Sequence, residues 1–116
     1  MVSITPVAKP RMTRSDRWKQ RPAVLRYRAF RDELRLKTPD MDLNYYTLTF
    51  GLPMPKSWSK KKKLEMDGQP HQQKPDIDNL CKSVLDALYL DDSHIHDINL
   101  KKVWTTNGFI LFEASR

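Results

Sequence analysis

Residues 74–92 read KPDIDNLCKSVLDALYLDD, and the reading of the whole chain turns on them. Leu80, Val84, Ala87 and Leu88 recur at helical spacing, which predicts an amphipathic helix over residues 79–89. Pro75 biases Lys74 toward extended backbone. Asp76 and Asp78 stand just before or at the helix start, where a carboxylate can accept from free backbone N–H groups. A cap and a solvated turn residue are the plain explanation of this pair. If residues 76–78 stay extended, however, side chains two apart point to the same side. Two carboxylates about 4 Å apart repel by roughly 1 kcal/mol in water and about 4 kcal/mol in a protein-like environment. A hard cation such as Mg²⁺ or Mn²⁺ turns that repulsion into binding, with water and phosphate filling the remaining positions. A calcium loop does not fit, because Cys81 occupies its glycine position and Ala87 its final acidic one.

Lys82 lies one helical turn beyond Asp78. It forms either an i,i+4 ion pair, worth about 0.3–0.5 kcal/mol, or an ammonium beside the metal that stabilises a pentavalent phosphate. Asp91 and Asp92 follow the helix. Residues 79–89 as a helix span about 16 Å, so Asp92 reaches Asp78 only if the chain doubles back or a partner subunit supplies it. His71, His94, His96 and Cys81 have no recognised zinc spacing. The chain has only three Gly and no glycine-rich nucleotide cradle, and no Ser or Cys has a credible base partner.

Outward from this segment, residues 2–8 (VSITPVA) read as a short edge strand that Pro6 limits. Residues 9–21 read as a basic loop. Pro22 suits a first helical position, and Ala23, Tyr27, Phe30 and Leu34 continue a helix to near Lys37. Residues 43–50 (LNYYTLTF) alternate as a strand with Tyr46, Leu48 and Phe50 on one side. Residues 51–75 offer little to build an element and read as a flexible basic loop, functional or disordered until bound. Residues 95–104 have strand character with Val103 out of phase, which suggests a bulge. Asn107-Gly108 predicts a tight hairpin into the final strand, FILFE. The order β-α-β-α-β-β predicts an α+β fold, a mixed β-sheet with two helices, in a single domain over residues 1–116.

The net charge is +7, from 21 Lys and Arg against 14 Asp and Glu. Its distribution says more than its total. Basic residues crowd the N-terminal third and recur at Lys60–Lys63, whereas Asp76, Asp78, Asp86, Asp91, Asp92 and Asp97 face Lys82 alone. A chain that only gripped phosphates gains nothing from such an acidic island. A metal-dependent nuclease needs both parts: cations to hold the DNA backbone, carboxylates to hold the ions that assist its cleavage. Trp58, beside the lysine run, is the best candidate to stack on a base. One cysteine excludes a disulfide within the chain, and no apolar run suits a membrane span or a secretory signal. A reducing, cytoplasmic setting is expected.

The motif Asp76-x-Asp78-Asn79-x-x-Lys82, then Asp86-Ala87-Leu88 and Asp91-Asp92, resembles the core of the RusA family of Holliday-junction resolvases. The stretch PVAKPRMTR at residues 6–14 is similar to the P-x-x-K-x-R segment of many phage members, and the predicted element order agrees with the family fold. The chain departs from the pattern in carrying its lysine run well before Asp76. The resemblance implies a homodimer that binds four-way DNA junctions and nicks two strands symmetrically, leaving 5′-phosphate and 3′-hydroxyl ends. It implies Mg²⁺, or Mn²⁺ in its place, as cofactor and no nucleotide cofactor. Asp76, Asp78 and Asp92 match the family's metal-binding carboxylates, with Asp91 the alternative to Asp92, and Lys82 matches its essential lysine. Lys9, Arg11, Arg14, Arg17 and Lys60, Lys61, Lys62 and Lys63 are expected to hold backbone phosphates. Two rival readings remain: a non-catalytic DNA-binding protein with the same basic surface, and a structure-selective nuclease for flaps and forks.

Overall fold

The computed structural model describes residues 1–10 and 21–114. Its elements are β1 (Val2–Ser3), α1 (Pro22–Lys37), β2 (Tyr46–Pro53), α2 (Lys60–Met66), α3 (Ile77–Leu88), β3 (Ile98–Thr105) and β4 (Phe109–Ala114). The fold is α+β, with a mixed sheet in the order β1-β4-β2-β3. β4 is antiparallel to both β1 and β2, and β3 is parallel to β2. One helix more is present than the apolar spacing predicts.

The two expected helices form for the expected reasons. Pro22 sits in the first turn of α1, which buries Val24, Tyr27, Phe30 and Leu34. α3 buries Leu80, Val84 and Ala87 together with Ser83, whose hydroxyl donates back to the Leu80 carbonyl at 2.8 Å. Phe30 and Leu34 of α1 and Leu80, Val84 and Ala87 of α3 meet Leu48, Phe50 and Leu52 of β2, Ile110 of β4 and Ile4 in one core. Both helices therefore lie over one face of the sheet, and the alternation along β2 supplies its apolar side.

The Asn107-Gly108 hairpin does not form. β3 and β4 flank β2 and do not pair with each other, and neither Asn107 nor Gly108 takes the positive φ of a two-residue turn. Gly51 makes this threading possible: a Cβ there stands 2.3 Å from the Phe109 ring, so only a bare backbone lets that ring lie against β2. β3 runs in step with β2 from Tyr46↔Ile98 to Pro53↔Thr105 without a bulge.

Residues 51–75 are ordered rather than a structureless loop. Gly51–Pro53 complete β2, and Lys60–Met66 form α2. Ser59 caps α2 by accepting from the Lys62 N–H at 3.2 Å. No residue of α2 is buried, so it has no apolar stripe for periodicity to detect. Gly68, at φ +80°, then turns the chain back along the free edge of β3. The Gly68 N–H donates to the Trp104 carbonyl, the Trp104 N–H to the Gln69 carbonyl, and the His71 N–H to the Lys102 carbonyl, at 2.9, 3.0 and 3.0 Å. An edge that would otherwise offer unpaired groups is thus covered by the chain's own backbone.

Candidate functional site

The strip along the edge of β3 leads directly into α3. Asp76 is the helix N-cap in extended backbone, and Asp78 lies in the first turn. Asp78 is therefore helical, not part of the extended dipeptide that the sequence suggests. Both aspartates line one cleft of about 560 Å³ with His71, Ile77, Leu100, Lys101 and Lys102. Asp76 also borders a neighbouring hollow with Lys74, Pro75 and Asn79.

Of the plain explanations of these aspartates, capping does not hold among the described residues, whereas solvation does. The Asp76 side chain makes no capping hydrogen bond. The ion pairs there are Lys9–Asp86, Arg31–Asp32 and Lys37–Glu33, and Asp78–Lys82 is not one of them. Asp76, Asp78 and Lys82 are all exposed. Two carboxylates stand at the positive end of a helix, where its dipole favours anions, and neither is tied into a cap or an ion pair among the described residues.

Asp92 is placed differently. Burial pushes the Cys81 thiol up, and the carboxylates of Asp92 and Asp78 push it further. Asp92 itself lies in the turn after α3, where its carbonyl accepts from the Ile95 N–H at 3.0 Å. Among the described residues no three His, Cys, Asp or Glu side chains gather closely enough to hold one ion, so Asp92 does not complete a triad with Asp76 and Asp78. Asp76 and Asp78 are the two carboxylates that one cleft brings together, and they are the residues that would hold a hard divalent cation, which commonly binds through one or two carboxylates plus waters and substrate phosphate. Asp91, the alternative, is held low by hydrogen bonds from Ser93, whose backbone N–H lies 2.9 Å away.

A chain of tilted ring contacts links the lysine run to this cleft. Lys62 lies over the Trp58 ring at 4.3 Å. Trp58 packs on Trp104 at 4.8 Å, and Trp104 on His71 at 4.1 Å between ring centroids. Trp58 is thus occupied within the protein and does not stand as a free platform for a base. Lys60, Lys61 and Lys62 are exposed and Lys63 is half-buried. Lys9 pairs with Asp86 at 3.4 Å, and Asp86 also accepts from the Tyr27 hydroxyl. Arg11, Arg14 and Arg17 lie outside the described residues.

Two residues of the cleft carry no motif in the sequence. His71 is only 6% exposed, and its Nδ1 has no hydrogen-bond partner. Burial, then the Lys102 ammonium, lowers its pKa below the ordinary 6.5, so the ring is neutral at neutral pH. Lys102 donates from its ammonium to the carbonyls of Gln73 and Pro75 at 2.6 and 2.8 Å. No sequence signal marks either one: His71 lies outside every strand, and Lys102 acts on backbone carbonyls.

No helix among the described residues is long and apolar enough to cross a membrane. Among known proteins, the family model described as Endodeoxyribonuclease RusA matches residues 3–111. No curated protein and no solved structure matches the chain.

Proposed function

The chain belongs to the RusA endodeoxyribonuclease family, which implies an endonuclease that resolves Holliday junctions, and from that premise we propose that it cuts four-way DNA junctions by paired symmetric nicks. The observation that carries this reading is that Asp76 and Asp78 share one cleft while neither carboxylate serves as a cap or an ion-pair partner among the described residues. These two hold the required Mg²⁺, for which Mn²⁺ substitutes, and Asp92 is the third donor, brought in by residues 89–97 or by the partner copy. A divalent cation bound there supplies Lewis-acid polarisation of the scissile phosphate and a water of lowered pKa.

The chain's own cations do the rest. Lys82, exposed one turn beyond Asp78, offers its ammonium to the charge that develops on the phosphate. Lys60–Lys63, with Lys9, Arg11, Arg14 and Arg17, hold the backbone phosphates of the arms. A two-fold homodimer presents two such clefts to two strands, which suits a substrate with two equivalent cleavage points.

The test is nicking of a labelled four-way junction, a flap and a linear duplex at matched salt, each in EDTA, Mg²⁺ and Mn²⁺. The reading predicts paired nicks in the junction that require Mg²⁺ or Mn²⁺, with flap and duplex cut far more slowly. The lack of a three-donor group among the described residues favours one rival, a non-catalytic DNA-binding protein. A junction that is bound yet intact in every metal condition establishes that rival. Equal cleavage of junction and flap establishes the structure-selective nuclease.

A further inference from the structure

We propose that Lys102 is a positioning residue for phosphodiester cleavage, fixing the main chain that presents Asp76 to the cleft. The inference rests on the reading of Asp76 and Asp78 as the metal-holding pair. Three hydrogen bonds from this one residue carry it. Its ammonium donates to the Gln73 carbonyl at 2.6 Å and to the Pro75 carbonyl at 2.8 Å, and its own carbonyl accepts from the His71 N–H at 3.0 Å. Backbone and side chain of one β3 residue thus fasten both ends of residues 71–75, and the next residue is Asp76.

The His71 ring also meets the Gln73 backbone, but no main-chain group takes this part. Among the described residues, no backbone–backbone hydrogen bond reaches residues 72–75. The Asp76 side chain makes no capping hydrogen bond that would orient it independently. Its direction therefore follows from the main chain entering it, and that main chain is set by Lys102. Leu100, Lys101 and Val103, the neighbours of Lys102 on β3, line the same cleft as Asp76 and Asp78, so one strand both borders the cleft and anchors the chain that enters Asp76. A lysine suits the task because its compact head carries three donors that can converge on two carbonyls, and its charge strengthens each bond. Without it, two carbonyl oxygens lose their donor directly beside the carboxylates.

The experiment compares wild type with Lys102→Met, Lys102→Gln and Lys102→Arg. Junction affinity is measured in EDTA, and single-turnover nicking at saturating junction is measured across a Mg²⁺ titration. Binding of Mn²⁺ in the absence of DNA is followed by electron paramagnetic resonance. Lys102→Met is expected to bind the junction in EDTA within about twofold of wild type, yet to nick roughly 10–100-fold more slowly with a raised Mg²⁺ requirement and weaker Mn²⁺ binding. Lys102→Arg, which keeps charge and donors, is expected to recover part of the loss. If Lys102→Met does not fold, Lys102→Gln carries the same expectations. Nicking at the wild-type rate by the folded variant overturns the proposal and leaves the proposed function standing. So does loss of EDTA binding in parallel with nicking, which marks a general structural role. A wild-type protein that leaves junctions intact in every metal overturns both.

Discussion

The Asp92 carboxylate acts on the Cys81 thiol, although Cys81 stands in the second turn of α3 and Asp92 lies beyond the helix's last residue. The helix alone separates Cys81 from Leu88 by about 10 Å, and the Asp92 and Asp78 carboxylates add to the upward push on the thiol that burial begins. Asp92 does not line the cleft that Asp76 and Asp78 share.

Cys81 should therefore respond to Asp92. With its pKa raised, the thiol holds less thiolate at pH 8 and alkylates more slowly than an unhindered cysteine. Asp92→Asn is expected to speed alkylation about two- to threefold, whereas Asp97→Asn leaves it unchanged. Equal rates in Asp92→Asn and wild type contradict the placement of Asp92.

Gly51→Ala tests the threading of the sheet. A Cβ 2.3 Å from the Phe109 ring forces ring or strand to move, at an expected cost of about 1–3 kcal/mol in chemical denaturation. Combining it with Phe109→Leu should cost less than the sum of the two single changes. Full additivity means that the ring does not lie against β2.

How far the sequence reveals this fold depends on where each element hides its side chains. Tyr27, Phe30 and Leu34 in α1, and Leu80, Val84 and Ala87 in α3, repeat with the helical period because one face of each helix is core. α2 buries nothing, so only the Ser59 cap betrays it. The Asn107-Gly108 pair signals a hairpin on local grounds, but the claim of β2 on both flanking strands overrides it. At the site, the spacing of Asp76, Asp78 and Lys82 is legible because it is chemistry written in residue types. Lys102 is not legible, because it grips carbonyl oxygens, which every residue possesses.

The Tyr27–Asp86–Lys9 network predicts an acid-side loss of stability. Burial alone would raise the Asp86 pKa, but the hydrogen bond from Tyr27 and the Lys9 ammonium bring it below the ordinary 3.8. A carboxylate depressed in the folded state contributes stability above its unfolded pKa and loses it as pH falls through the folded value. Tyr27→Phe should cost about 1.5 kcal/mol at pH 7 and flatten the decline below about pH 4, as read by thermal unfolding across pH. An unaltered acid limb removes the network from the account.

The lysine helix predicts a salt effect. Replacing Lys60–Lys63 with Ala should weaken junction binding and reduce the slope of log affinity against log salt by about 0.9 for each DNA phosphate no longer neutralised. An unchanged slope shows these lysines to be solvated surface.

The most direct measurement is nicking by Asp78→Asn and Asp76→Asn at saturating junction in Mg²⁺, with junction affinity measured alongside in EDTA. The account predicts affinity within about twofold of wild type and nicking slower by on the order of a thousandfold or more, the loss of several kcal/mol of transition-state stabilisation. Wild-type nicking by either variant contradicts it.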